Sequence, residues 1–199
     1  MSGGTRPPAG RGGRSTSSAP RVVLALLLAL GLAAGCSGGT RATPKATPSP
    51  WFATCPEPTG TAASGGLPGI RLSCFTGGAT VPLNRAYGKP TVINLWASWC
   101  DACRAELPQI AAYAADHPDV VVLTVDTRDT RTAGRSFAQD AKVTLPTLYD
   151  PDRTLLTAVR KTSLPTTVLL RADGSLAYTY NSTALTADAL GELVDRYAR

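Results

Sequence analysis

Two cysteines separated by two residues stand where a strand-like segment meets a helix-like one. Cys100 and Cys103 follow the apolar run 91–96 and precede the alanine-rich stretch 104–115. This spacing lets the two sulfurs form a disulfide within the first helical turn. The free amides and positive dipole end of the helix stabilise a Cys100 thiolate, the form that attacks disulfides. The segment therefore predicts a strand, a redox dithiol and a helix in direct succession.

The same spacing also occurs in one half of a zinc site, which needs about two further cysteine or histidine ligands. His117 is the only histidine of the chain, and the other cysteines lie far upstream in segments of a different character. We therefore interpret the pair as redox-active and expect neither a metal nor a cofactor.

Residues 1–35 are typical of an export signal. Four arginines and no acidic residue precede the apolar stretch 22–35, which ends in Leu-Ala-Ala-Gly before Cys36. The stretch is too short to span a bilayer, which takes about 20 helical residues. Its ending resembles a bacterial lipobox, which implies lipidation of Cys36 and a membrane anchor. An ordinary secretory signal and an uncleaved N-terminal anchor are the alternatives.

Residues 36–54 consist mainly of Gly, Ser, Thr, Ala and Pro. Because little of this segment can be buried, we predict a flexible tether of about 18 residues with a reach of roughly 23 Å. Residues 55–199 are enough for one compact domain and too few for two. The formal charge of +6 falls to about +2 without the leader arginines, so no nucleic-acid partner is expected.

The chain contains five cysteines. With Cys36 assigned to the lipid, four remain and three pairings are possible. Cys100 and Cys103 bond to each other most easily because they are close in sequence, which leaves Cys55 to pair with Cys74. A bridge there closes a loop of about 20 residues and contributes roughly 3 kcal/mol to stability. The alternative is a second dithiol that relays electrons to the redox pair.

Hydrophobic periodicity predicts strands that alternate with helices. Strands are expected at 70–75, 79–83, 91–96, 120–125, 147–149, 166–171 and 176–180, the first two as a hairpin. Helices are expected at 101–115, 130–141, 152–160 and 186–197, with threonine caps before the second and fourth. This alternation predicts an α/β fold with a mixed sheet and helices on both faces.

Four features of the domain resemble the TlpA/ResA branch of the thioredoxin-like superfamily. They are the segment 94–103, the Glu-Leu-Pro motif at 106–108, the Leu-Pro-Thr-Thr motif at 164–167, and the N-terminal hairpin. The resemblance implies a thioredoxin-like fold with an N-terminal β-hairpin extension. It also implies a thiol-disulfide oxidoreductase tethered to the outer face of a bacterial membrane.

The resemblance implies roles for the residues around the dithiol. Cys100, which follows Trp99, is the expected exposed nucleophile, and Cys103 is the resolving thiol. Pro165, expected in the cis form, would hold an extended substrate against the sulfurs, with Trp99 and Thr166 helping to position it. The alternative for Pro165 is an ordinary turn proline.

Glu106 corresponds to a carboxylate in the cleft of ResA-like proteins. Asn94 stands where cytoplasmic thioredoxins have a buried aspartate, which makes Glu106 the candidate for proton exchange with the resolving thiol. The alternative is a solvated helix glutamate paired with Arg104. Two further departures from the family are Ala102 in place of proline and Asp101, whose charge opposes thiolate formation and favours a more reducing couple.

The leading functional hypothesis is reduction of disulfides in exported proteins such as apocytochrome c. By resemblance, a membrane thiol relay of the CcdA/DsbD type would supply the electrons. An oxidase that introduces disulfides into exported proteins is the alternative within the fold, because potential and partner set the direction. Alternatives from other classes are a copper chaperone with a distant histidine ligand, a thiol peroxidase and a purely structural lipoprotein.

Overall fold

A computed structural model describes residues 51–199. The proposed leader, the lipidation site at Cys36 and residues 37–50 of the predicted tether lie outside these residues. Among the described residues, no helix combines the length and the apolar character needed to cross a bilayer.

Seven strands form one mixed sheet. They are β1 (Arg71–Cys74), β2 (Thr80–Pro82), β3 (Thr91–Trp96), β4 (Val121–Thr127), β5 (Thr147–Asp150), β6 (Thr166–Leu170) and β7 (Leu176–Tyr180). Their order across the sheet is β2-β1-β5-β4-β3-β6-β7. Strands β3, β4 and β5 are parallel, whereas the remaining neighbours pair antiparallel. The N-terminal hairpin thus extends the sheet beyond β5.

Four helices connect or follow these strands. They are α1 (Asp101–Asp116), α2 (Arg131–Asp140), α3 (Thr154–Ala158) and α4 (Ala187–Tyr197). Both predicted threonine caps are present: the Thr130 and Thr186 hydroxyls each accept a backbone N–H three residues later, at 3.2 Å. Such a cap contributes about 1 kcal/mol.

The central strand β3 is buried along its whole length, and its side chains alternate between the two faces of the sheet. Val92 and Trp96 pack with residues of α1, α2 and α4. Ile93 and Leu95 pack on the other face, in the cluster that contains residues of α3 and the hairpin. Helices therefore cover both faces, as the sequence predicts.

The packed domain includes residues before the predicted boundary at 55. Phe52 is buried, and its ring centroid lies 4.7 Å from that of Phe75. The Thr76 hydroxyl donates to the Phe52 carbonyl at 2.7 Å, and Ala53 N–H donates to the Thr144 carbonyl at 2.8 Å. These contacts join the end of the predicted tether to the domain. Burial of the large Phe52 ring gains more free energy than burial of the small residues beside it would.

Two elements, α3 and β4, differ from their predicted bounds by two residues at one end or both, whereas the others agree to within one residue at each end. Helix α3 is shorter than the predicted 152–160, because Arg153 and Arg160 adopt left-handed backbone conformations with φ of 60° and 55°. Strand β4 continues two residues beyond the predicted end, since Asp126 and Thr127 pair with Tyr149 and Asp150 of β5. This extension buries the Asp126 carboxyl on the face of the sheet that α2 covers.

Candidate active site

Cys100 and Cys103 form a disulfide at the start of α1. Cys100 is the N-cap residue of this helix, and its sulfur accepts the Cys103 backbone N–H at 3.1 Å. The cap position thus directs a helix amide at the Cys100 sulfur, as the sequence pattern predicts. Cys100 is the more accessible of the two residues, although only 7 % of it is exposed, whereas Cys103 is fully buried.

Trp99 stands at the rim of this site with 55 % of its surface exposed. Its indole Nε1 donates to the Arg128 carbonyl at 3.0 Å, and the Arg128 guanidinium lies 5.7 Å from the ring centroid. The loop after β4 therefore holds an exposed aromatic surface next to Cys100, where an incoming polypeptide can contact it.

The loop before β6 reaches the dithiol from the neighbouring strand. The Leu164–Pro165 peptide bond is cis, and Pro165 is buried. Thr166 pairs with Leu95 of β3, so the proline stands beside the end of the strand that leads to Cys100. Leu164 packs against the hydrophobic cluster that contains both sulfurs. The structure thus brings together the loop and the dithiol, which are separated by more than 60 residues in sequence.

The Thr166 hydroxyl is occupied by hydrogen bonds within the protein. Its hydroxyl donates to the Ser163 carbonyl at 2.8 Å and accepts from Asn181 Nδ2, also at 2.8 Å. The same Asn181 amide donates to the Pro165 carbonyl at 2.9 Å. Substrate positioning by Thr166 would therefore fall to its backbone. The sequence analysis did not identify Asn181, whose only local signal is its position directly after β7.

Glu106 is buried, with 1 % of its surface exposed. Its Oε2 accepts from Asn94 Nδ2 at 3.1 Å, and its Oε1 accepts from Leu185 N–H at 3.1 Å. Burial raises the pKa of this carboxyl, and the two hydrogen bonds oppose the rise. The alternative of a solvated helix glutamate paired with Arg104 is wrong, since Glu106 is buried and its two oxygens accept from Asn94 and Leu185.

Glu106 follows Cys103 by three residues in α1, and both residues are buried. Residues at this spacing are neighbours on one helix face, with Cβ atoms about 5–6 Å apart. A carboxyl whose pKa is raised by burial thus lies one turn from the sulfur of Cys103, the proposed resolving residue.

Cys55 and Cys74 form the second disulfide, with Cα atoms 6.0 Å apart. Both residues are buried in the cluster on the α3 side of the sheet, whereas Cys100 and Cys103 belong to the cluster on the opposite side. The sheet therefore separates the two disulfides. This placement fits a structural bridge and argues against direct relay between the pairs.

No group of three or more His, Cys, Asp or Glu side chains in residues 51–199 is arranged to hold a metal ion. His117 stacks on Tyr113 at the C-terminal end of α1. A 16-residue helix is about 24 Å long, so His117 lies far from Cys100 at the other end. His117 therefore does not supply the third ligand that a copper chaperone would need.

The chain is similar to known proteins that are named thiol-disulfide or disulfide oxidoreductases. A family model described as the AhpC/TSA family matches residues 67–179, which is more than half of the chain. The chain belongs to the AhpC/TSA family. The family segment extends from just before the hairpin to β7, so it includes the dithiol, Glu106 and the proline loop.

Three relatives of this AhpC/TSA chain illustrate the similarity. The thiol-disulfide oxidoreductase ResA of Bacillus subtilis is 29 % identical over 51 % of this chain and 58 % of its own length. A solved structure with a TM-score of 0.57 is that of a secreted Mycobacterium tuberculosis disulfide oxidoreductase homologous to E. coli DsbE. Its sequence is 27 % identical, and the match covers 64 % of this chain and 96 % of that one. The structure of an exposed lipoprotein thioredoxin of Streptococcus pneumoniae has a sequence 28 % identical to this chain and a TM-score of 0.55. The match covers 64 % of this chain and 98 % of that one.

The chain spans between half and two thirds of the length of the curated relative ResA. The match to solved structures covers nearly all of those chains and establishes that the fold is thioredoxin-like.

Proposed function

We propose that the protein is an extracytoplasmic thiol-disulfide oxidoreductase that works through Cys100 and Cys103. The single observation that carries this proposal is the Cys100 sulfur at the N-cap of α1, bonded to Cys103 and adjoining the loop of Pro165. An N-cap sulfur that accepts a helix amide is stabilised as a thiolate. The names of ResA and of the secreted mycobacterial protein support the same reaction class.

In the reducing direction, the Cys100 thiolate attacks one sulfur of a substrate disulfide. A mixed disulfide forms between Cys100 and that sulfur, and the other substrate sulfur leaves as a thiolate. The Cys103 thiolate then attacks the Cys100 sulfur, so the internal disulfide forms and the second substrate thiolate is released. The substrate gains two electrons and the dithiol loses two. The reverse sequence oxidises a substrate dithiol.

Glu106 is the group proposed to accept the Cys103 proton before the second attack. The buried thiol must lose its proton for Cys103 to act as a nucleophile. A carboxyl whose pKa burial has raised is a better match for this transfer than a solvated one. Asn94 and Leu185 hold both carboxyl oxygens in place during this exchange.

Reduction of exported proteins is the direction that we favour. Asp101 follows Cys100 directly at the start of α1, and its negative charge makes the Cys100 thiolate less stable. A less stable thiolate corresponds to a more reducing couple. The alternative direction, oxidation of exported dithiols, uses the same residues and differs in potential and partner.

The proposed location is the outer face of the cell membrane, with Cys36 carrying the lipid. The apolar stretch that ends at Cys36 and the similarity to a pneumococcal lipoprotein thioredoxin support this placement. A reductase in this location needs electrons from the cytoplasm, which a membrane thiol relay of the CcdA/DsbD type would supply. Apocytochrome c is the proposed substrate, in line with the resemblance to ResA.

The deciding experiment is the reduction potential of the Cys100–Cys103 couple in the full-length protein, equilibrated in dithiothreitol or glutathione buffers. Mass spectrometry of the alkylated peptides would separate this couple from Cys55–Cys74. A potential at or below about −220 mV supports the reductase, whereas a value near about −120 mV supports the oxidase.

Trapping separates an enzyme from a structural lipoprotein. A Cys103→Ser variant is expected to accumulate a mixed disulfide with a protein substrate such as insulin, whereas a Cys100→Ser variant is not. If the wild-type protein exchanged no disulfide and Cys103→Ser trapped none, the proposed activity would be excluded.

A further inference from the structure

The loop between β4 and α2 contacts the segment that leads to Cys100. This loop consists of residues 128–130. The Ser98 backbone N–H donates to Asp129 Oδ2 at 2.6 Å, and the Trp99 indole N–H donates to the first carbonyl of the loop at 3.0 Å. One loop therefore holds both residues that directly precede the nucleophile.

The Asp129 carboxylate uses both of its oxygens. Oδ2 accepts the Ser98 N–H, and Oδ1 accepts the Thr130 N–H at 2.7 Å. Hydrogen bonds to an ionised acceptor are shorter and about twice as strong as those between neutral groups. The Thr130 contact stays within the loop, whereas the Ser98 contact joins the loop to the nucleophile segment.

Neighbouring elements fix the loop independently of the segment that it holds. The Tyr149 hydroxyl of β5 donates to the Asp129 carbonyl at 2.9 Å, and the Arg128 N–H donates to the Asp150 carbonyl at 3.0 Å. The Thr130 hydroxyl caps α2. Because β5 and α2 set the position of Asp129, its carboxylate is a fixed anchor.

Helix α1 holds the other side of the same residue. The Arg104 guanidinium donates to the Ser98 carbonyl at 3.4 Å, and the Cys100 N–H donates to the Ala97 carbonyl at 3.1 Å. The resulting turn delivers Cys100 with φ of −95° and ψ of 104°, the cap conformation in which its sulfur accepts the Cys103 N–H. The orientation of the Ser98 peptide group thus directs the chain into the cap.

We propose that Asp129 is a positioning residue for the nucleophile: its carboxylate fixes the Ser98 amide and so keeps Cys100 at the cap of α1. The inference rests on the proposed function, because disulfide exchange requires a reactive Cys100 thiolate. With the anchor in place, the thiolate keeps the hydrogen bond from the Cys103 amide, which stabilises it. Without the anchor, the turn 97–100 samples other conformations and the thiolate loses part of this hydrogen bond.

The charge and the hydrogen bond of Asp129 affect Cys100 in opposite directions. A negative charge disfavours a second negative charge on a nearby sulfur, so the charge alone raises the pKa of Cys100. The hydrogen bond to Ser98 supports the cap geometry and lowers that pKa. A role through charge alone therefore predicts the same Cys100 pKa in every variant that lacks the carboxylate. The positioning role predicts a higher pKa where the acceptor oxygen is also lost.

The test compares Asp129→Ala with Asp129→Asn in the full-length protein with its active-site cysteines reduced. Both variants lack the charge, but Asn keeps one oxygen for the Ser98 N–H, since the Thr130 N–H belongs to an exposed residue and can bond to water. The rate of Cys100 alkylation by iodoacetamide is measured from pH 5 to pH 10, with the modified residue located by tandem mass spectrometry. The apparent Cys100 pKa is expected to be higher in Asp129→Ala by about half a unit or more. Equal pKa values, or a lower value in Asp129→Ala, would overturn the inference.

The other charged groups around the dithiol and the loop are the same in both variants. They come from α1, from the loop itself and from the residues packed beside it, and comprise Asp101, Arg104, Glu106, Arg128, Asp126 and Arg131. Because none of them is replaced, a difference between Asp129→Ala and Asp129→Asn reports on the acceptor oxygen.

Asp140→Ala is the control for loss of a carboxylate elsewhere, because Asp140 is exposed on α2. Its Cys100 pKa is expected to match that of the wild type. If it departed from the wild type by as much as the two Asp129 variants differ, the measured pKa would respond to distant changes. The inference would then be overturned.

Amide hydrogen exchange in the wild type tests the contact itself, whether or not the variants fold. The Ser98 N–H is expected to exchange about 10-fold or more slowly than in an unstructured chain. Exchange at the unstructured rate would overturn the inference. If the wild type exchanged no disulfide, the proposed function would fail. The protected Ser98 amide and the pKa difference between the Asp129 variants would then still establish the anchor.

Discussion

The Asn94 side-chain amide donates a 3.1 Å hydrogen bond to the Glu106 carboxyl, which joins the central strand to the helix that begins at the dithiol. The same nitrogen donates to the Thr167 hydroxyl at 3.0 Å. An amide cannot ionise, so it supports Glu106 in both protonation states without contributing a charge. Glu106 is therefore the ionisable member of this contact.

Replacement of Glu106 by Gln removes this ionisable group and keeps its shape. Because the raised pKa of Glu106 matches it to proton exchange with Cys103, we expect the rate of mixed-disulfide resolution to fall by about 10-fold or more. Stopped-flow reduction of a model disulfide across pH measures this step. Glu192 is exposed on α4, so Glu192→Gln serves as the control and should leave the pH profile of this rate unchanged. An unaltered pH dependence in Glu106→Gln would exclude the proton role.

Replacement of both Cys55 and Cys74 by Ala is expected to lower the free energy of unfolding by about 3 kcal/mol, because the bridge constrains the unfolded chain. Urea unfolding measures this change. The sheet separates the two disulfides, so the potential of Cys100–Cys103 is expected to shift by less than about 30 mV. A larger shift would restore the relay interpretation of this pair.

Removal of the Asn181 side chain is expected to loosen the proline loop. Asn181→Ala leaves the Pro165 carbonyl and the Thr166 hydroxyl without their donor, and we expect a loss of about 1–3 kcal/mol in stability. The second-order rate with a protein disulfide should fall, whereas iodoacetamide alkylation of Cys100 should not. Equal rates with protein disulfides in the variant and the wild type would show that the loop needs no such anchor.

The buried acid Asp126 predicts a stability profile with a specific sign. Because its pKa rises from an ordinary 3.8 to about 8 in the folded state, the folded protein binds the extra proton between these values. The free energy of unfolding should therefore be highest below this window and fall through it, by at most about 1.4 kcal/mol per pH unit. Urea unfolding at several pH values measures the slope, which should be smaller in Asp126→Asn.

A comparison of the predicted and observed elements shows where local signals suffice. The cysteine spacing, the apolar run before it and the threonine caps are all encoded within a few residues, and the strand 91–96 and the helix from 101 follow directly. The same signals predicted the mixed sheet and the helices on both faces, because strands alternate with helices along the chain.

The carboxyls of the site show where local signals end. Glu106, Asp126 and Asp129 are similar acids in sequence, yet one is buried against Asn94, one is buried without a donor and one holds the Ser98 amide. Likewise, Phe52 joined the core although its neighbours in sequence resemble a tether.

The sequence by itself determined the redox pair, the order of the elements and the class of fold. Only the tertiary structure decided which acids lose water and which backbone groups they hold. The physical reason is that burial and hydrogen bonding depend on contacts between residues far apart in the chain, such as Ser98 and Asp129 or Glu106 and Leu185. A local pattern carries no information about such partners, and the burial that raises the pKa of Glu106 and of Asp126 depends on the same long-range packing.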